Sequence, residues 1–113
     1  MAAHTLLDPA ELVERILQEY AAIPYANSSQ QKQTVFDREH RRFLLVSHGW
    51  DNGYRIHRVI LDVEVKGDKF WIHQDSTEDG IATDLELAGI PKDRIVLAWI
   101  QEDDRKYTEY AVR

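Results

Sequence analysis

Cysteine is absent from this chain. That excludes disulfides, thiolate metal sites and cysteine nucleophiles, and it leaves the redox compartment open. Long apolar runs are absent too. None approaches the roughly 18 residues that a membrane-spanning helix needs. No basic segment followed by an apolar stretch opens the chain, so no secretory signal is visible and the cytoplasm is the expected location. The Gly-x-Ser-x-Gly elbow, the Walker-type loop and the Rossmann glycine pattern are all missing. Basic charge is scarce. Lys and Arg number 14 against 20 Asp and Glu, a net charge of −6. Sequence-independent DNA affinity comes mainly from cations that neutralise phosphates. Direct duplex binding is therefore expected to be weak or absent, and an acidic surface better suits a protein partner with basic character of its own.

What is present reads as one domain over residues 1–113. Asp8, Pro9 and Glu11 announce a helix, and Leu12, Val13, Ile16, Leu17 and Tyr20 recur at helical spacing behind them. Pro24 should stop it near Ile23. Asn27 to Lys32 is polar and aperiodic, a loop. Strands are expected over Gln33–Asp37, Phe43–Trp50, Tyr54–Val65 and Phe70–Gln74. Asn52-Gly53 marks a type I′ turn between two of them. On the long strand, Val59, Leu61, Val63 and Val65 are expected on one face, with Asp62 and Glu64 on the other. Thr77 is the expected cap of a second helix carrying Ile81, Leu85 and Ala88, stopped by Gly89 and Pro91. Arg94–Ile100 reads as a fifth strand, Gln101–Lys106 as a charged turn, and Tyr107–Val112 as a short last strand or a pinned tail. The order implies an α+β fold: an antiparallel β-meander with two helices packed on one face.

Few residues offer chemistry. His4, His40, His48, His57 and His73 show no metal-site spacing, although His57 and His73 fall on adjacent strands. A solvent-facing strand position is the plainer account, and no metal or cofactor is expected. Asp75, Thr77 and Glu78 form a candidate polar loop, but a helix N-terminus calls for the same residue types. No catalytic residue is assigned. Tryptophan favours the core, which weighs on Trp50, while Trp71 alternates against Phe70 and Ile72 and is open between core and interface. Exposed aromatics are enriched at protein interfaces. Trp50, Asp51, Trp71, Arg105 and Tyr107 are thus the candidate partner-contacting residues. Arg38, Arg41, Arg42, Arg55 and Arg58 are the candidate DNA contacts under an alternative reading. The long strand and its aromatic neighbour also predict a homo-oligomer, most simply a two-fold dimer.

Several segments in order carry a resemblance: Tyr20-Ala21-Ala22-Ile23-Pro24-Tyr25, Phe36-Asp37, Val46 to Asp51, Asp75 to Ala82, Gly89 to Leu97 and Arg105 to Val112. Together they resemble the XisI-like family, excision controlling factors of the cyanobacterial fdxN element. The resemblance implies a non-catalytic accessory role in site-specific excision of a DNA element. It also implies a partner, either a nuclease-like XisH-type protein or a recombinase. One departure is visible. After its last core strand the family usually has an aromatic followed by His- and Pro-containing residues, where this chain reads Trp99-Ile100-Gln101-Glu102-Asp103-Asp104. The alternative is a small specificity factor that touches DNA through the five arginines.

Overall fold

The structure, a computed structural model, describes residues 8–25 and 29–113. His4 and Asn27 lie outside them. Helix α1 (Pro9–Ala21) begins at Asp8, whose carboxylate accepts hydrogen bonds from the Ala10 and Glu11 amides at 2.8 and 3.3 Å. These satisfy two of the donors that every helix start leaves unpaired. At the far end the Lys32 ammonium donates to the Tyr20 and Ile23 carbonyls at 3.2 and 2.6 Å. A cation there complements the negative end of the helix dipole.

Five strands follow in spatial order β1 to β5: β1 (Gln31–Asp37), β2 (Arg42–Asp51), β3 (Tyr54–Lys66), β4 (Lys69–Asp75) and β5 (Ile95–Leu97). The first four run antiparallel. Asn52 and Gly53 both have positive φ, 49° and 81°, as a type I′ turn demands. The last strand departs from the expected meander, because β5 is only three residues long and pairs parallel to β4. The reason lies in the connection. A helix, α2 (Ile81–Leu87), carries the chain from β4 back across the sheet, and such a crossover delivers a parallel strand. The expected strand over Arg94–Ile100 is shortened by a 3₁₀ turn at Lys92–Arg94 before it, and a second 3₁₀ segment covers Glu102–Tyr107. Residues 107–112 form the pinned tail, held by the Ala111 amide on the Ile95 carbonyl at 2.8 Å.

Both helices lie on one face. Leu12, Val13, Ile16 and Leu17 of α1 and Ile81 and Leu85 of α2 bury against Phe43, Leu45, Leu61, Val63, Phe70, Ile72 and Ile95. Each such side chain contributes on the order of 1.5–3 kcal/mol. Phe36 meets Phe43 edge-to-face at 5.6 Å, which extends the core to β1.

Two bulges decide which residues face it. Leu45 opposes Leu61 while Val46 opposes Val59, so Ile60 is the extra residue. Ile60 is buried instead of Val59, and Val59 turns to the helix-free face, against the strict alternation expected of it. A second slip, between Asp62 and Val63, leaves His73 unopposed on β4. His57 pairs with His48 across β2–β3, and His73 meets Glu64 at 2.9 Å, so the two histidines on adjacent strands do not face each other.

Candidate functional site

The helix-free face of the sheet has two regions. Over the body of the sheet, Val35, Leu44, Val46 and Val59 form an aliphatic row beside a polar cluster. In that cluster Arg42 donates two hydrogen bonds to Asp62, at 2.5 and 2.8 Å, with Glu64 at 3.9 Å. Asp62 holds the guanidinium above its ordinary pKa. Beyond the body, β2 and β3 outrun their neighbours. The ladder to β1 ends at His48, and the ladder to β4 begins at Leu61. Residues 49–51 and 54–56 therefore pair only with each other in the sheet, as a two-stranded arm. A two-stranded ribbon alone is marginal in water. This one is braced at its root, where the Ser29 hydroxyl donates to the Trp50 carbonyl at 2.7 Å.

The arm carries Trp50, 55% exposed, and Tyr54, 73% exposed. Trp50 leaves the core expected for it because the arm has no helix beneath this face. Arg55, directly opposite on β3, lies over its ring at 5.7 Å. Asp51 and Tyr54 flank the turn as the next pair.

Trp71 lies elsewhere. It sits opposite Glu64, which in turn opposes Arg42, eight residues along β2 from Trp50. At about 3.3 Å per residue that is roughly 26 Å. Trp71 is half-buried between the Lys66 ammonium at 4.2 Å and the Arg105 guanidinium at 5.3 Å. Arg105 also donates to the Ile100 and Val112 carbonyls, at 2.9 and 3.1 Å, so it ties the C-terminal segment to itself and to the sheet. Tyr107 stands 78% exposed on that segment. The five candidate partner contacts thus fall into two groups, Trp50 with Asp51 on the arm and Trp71, Arg105 and Tyr107 at the other end. Tyr54, which residue type and strand position mark as exposed, belongs with the first and was missed.

The five arginines are not brought into one patch. Arg38 pairs with Glu14 of α1 at 2.6 Å, and Arg41, in the β1–β2 turn, reaches the Val65 and Gly67 carbonyls at the β3–β4 turn. Arg42 is held by Asp62. Arg55 is on the arm. Arg58 faces the helix side, where it lines a cleft of about 390 Å3 with Tyr20, Tyr25, Lys32 and Thr77. Glu78 lines the same cleft.

The polar loop has a different organiser from the one expected. Helix α2 starts at Ile81 behind Gly80, not at Thr77. Asp75 does the capping: one carboxylate oxygen accepts from the Ile81 amide at 2.6 Å, the other from the Thr77 amide and hydroxyl at 2.9 and 2.5 Å. Thr77 accepts from the Gly80 amide, at 3.1 Å. Among the described residues, no three His, Asp or Glu side chains come together as a metal site.

Two tyrosines clamp α2. The Tyr20 hydroxyl donates to Asp84, and the Tyr110 hydroxyl donates to Glu86 at 2.7 Å. Burial, then the carboxylate, pushes the Tyr110 phenol up to about 12, and the same causes raise Tyr20. In the unfolded chain both phenols ionise near pH 10. The clamp's contribution is thus fully present below about pH 10 and is lost as pH rises toward the folded values. Denaturant unfolding at about pH 8 and about pH 11 should show this loss, with a flatter pH dependence in Tyr20→Phe/Tyr110→Phe. An equal dependence in both chains would mean that the phenols do not titrate as described.

A family model described as XisI protein matches residues 4–112. The chain belongs to the XisI family. It is similar in structure to a XisI-like protein from Anabaena variabilis, with a TM-score of 0.83, 30% identity, and coverage of 92% of this chain and 95% of that one. It is also similar to the fdxN element excision controlling factor XisI of Anabaena variabilis, with a TM-score of 0.77, 25% identity, and coverage of 98% and 97%. No curated protein matches the chain. In this XisI family member the acidic Glu102-Asp103-Asp104 stretch forms the first turn of the second 3₁₀ segment, and Arg105 anchors it.

Proposed function

We propose that the chain is a controlling subunit of DNA element excision that performs no catalysis itself. It acts by holding a nuclease-like XisH-type protein or a recombinase, and the arm is the contact. Membership of the XisI family and similarity to an excision controlling factor support the setting. The observation that carries the docking site is the arm itself: a ribbon unsupported by the sheet, with Trp50 and Tyr54 exposed at its end. Aromatics of this kind anchor interfaces, and the ring beside Arg55 is already held in place. Binding of a co-purified XisH-type protein should weaken roughly thirtyfold, about 2 kcal/mol, in Trp50→Ala/Tyr54→Ala. Unchanged affinity in that variant would sink the assignment of the arm.

One observation favours the DNA-contacting alternative. A two-stranded ribbon fits the major groove, and Arg55 lies on this one. Against it, Arg38 and Arg42 are neutralised by carboxylates and the net charge is −6. Fluorescence anisotropy with labelled duplex separates the two. The protein alone should show no tight binding at physiological salt, and submicromolar binding would favour the alternative.

A further inference from the structure

Among the described residues, the sheet has one long edge with no strand beyond it. At the other edge β5 is three residues long, and the tail lies against it through the Val96–Ala111 bridge. Strand β1 is seven residues long and hydrogen-bonds only to β2 within the sheet. Every second residue of such a strand directs its N–H and C=O outward. Sheet proteins that stay monomeric blunt an edge with Pro, bulges or outward-pointing Lys. In Gln31–Asp37 there is no Pro, and its pairing with β2 runs without a slip. Its one Lys, Lys32, is turned to the helix side, where it closes α1.

We propose that β1 pairs antiparallel with β1 of a second copy, about a two-fold axis at Thr34, so that the two sheets become one. The sequence of the strand points to self-pairing. Only the register centred on Thr34 pairs all seven residues. It sets Thr34 against itself, Gln33 against Val35, Lys32 against Phe36 and Gln31 against Asp37. No like charges meet, and Thr–Thr is a favoured cross-strand pair. Val35, 45% exposed, is covered by the Gln33 of the second copy, and the aliphatic row of Val35, Leu44 and Val46 becomes continuous with its symmetry mate. This contact is separate from the arm, so each can fail without the other.

The test uses paired charge variants of the full chain. Light scattering at tens of micromolar should give twice 13.2 kDa for the unmodified protein. Gln33→Lys/Val35→Lys places like charges opposite each other twice per dimer and should weaken self-association by at least roughly tenfold. Gln33→Glu/Val35→Glu should do the same. Mixing the two variants should restore the dimer, because the register puts each introduced cation against an introduced carboxylate. A species of 13.2 kDa for the unmodified protein, or association untouched in both variants, overturns the proposal. So does a mixture that stays monomeric. If either variant fails to fold, the lack of native cysteine allows a second measurement. Thr34→Cys should oxidise to a disulfide dimer, since directly opposed strand residues lie within bridging distance. Oxidation no faster than in Asp103→Cys, on the exposed C-terminal segment, would overturn the proposal as well.

Discussion

Gly49→Ala is expected to destabilise the protein by about 3 kcal/mol, through backbone strain and overpacking together. Gly49 has φ of +145°, in the region L-residues rarely adopt. A Cβ there would lie 2.7 Å from the Gln30 Cα and 2.7 Å from the Ser29 carbonyl oxygen. Both are backbone atoms, so no rotamer change relieves the clash. Either residues 29–30 are pushed off the arm or the arm bends away from them. Both outcomes loosen the Ser29–Trp50 hydrogen bond that braces the arm's root, so partner binding should weaken along with stability. Gly53→Ala is the control. Gly53 also has positive φ, +81°, but nothing lies within 4 Å of its Cβ position. Its cost should be the conformational one alone, about 1 kcal/mol. Denaturant unfolding of the two variants gives the comparison, and a Gly49→Ala cost no larger than that of Gly53→Ala would remove the packing argument.

Asp75→Ala is expected to cost about 2 kcal/mol, against about 1 kcal/mol for Thr77→Ala. Asp75 satisfies three donors at once and sets the distance between the end of β4 and the start of α2. Without it the Ile81 amide, at a helix start with no other side-chain cap, loses its acceptor. Thr77 holds one amide and is itself oriented by Asp75. The two losses should therefore not add: Asp75→Ala/Thr77→Ala should resemble Asp75→Ala alone. Neither residue belongs to the arm, so both variants should keep partner binding at temperatures where they are folded. Loss of binding by a fully stable Thr77→Ala protein would give the loop a functional part that its hydrogen bonds do not suggest.

Much of this fold is legible in the chain. Asp8, Pro9 and the apolar spacing that follows specify α1, because capping and amphipathicity are local properties. Asn52-Gly53 specifies the β2–β3 turn, because few residues accept two successive positive φ values. The alternation of Phe70 and Ile72 with Trp71 and His73 assigns the faces of β4. Membership of the XisI family is legible as well, since it rests on ordered segments along most of the chain. The candidate site is legible only in part. Trp50 and Trp71 stand out by residue type, but nothing local says that one is exposed on an arm and the other wedged between Lys66 and Arg105.

By itself, then, the sequence determined most of the elements, their order and the acidic, cysteine-free character of the chain. Tertiary structure alone decided the rest. A bulge is a mismatch between two strands, so neither strand shows that Ile60 replaces Val59 in the core. The parallel β5 follows from where α2 packs, and Asp75 caps that helix from six residues away because the loop folds back on it. The arm exists because β1 and β4 stop short of where β2 and β3 end, a difference in ladder length that belongs to four strands at once. Arginines close in sequence were separated by the same pairing, which turns Arg42 and Arg55 to one face and Arg58 to the other.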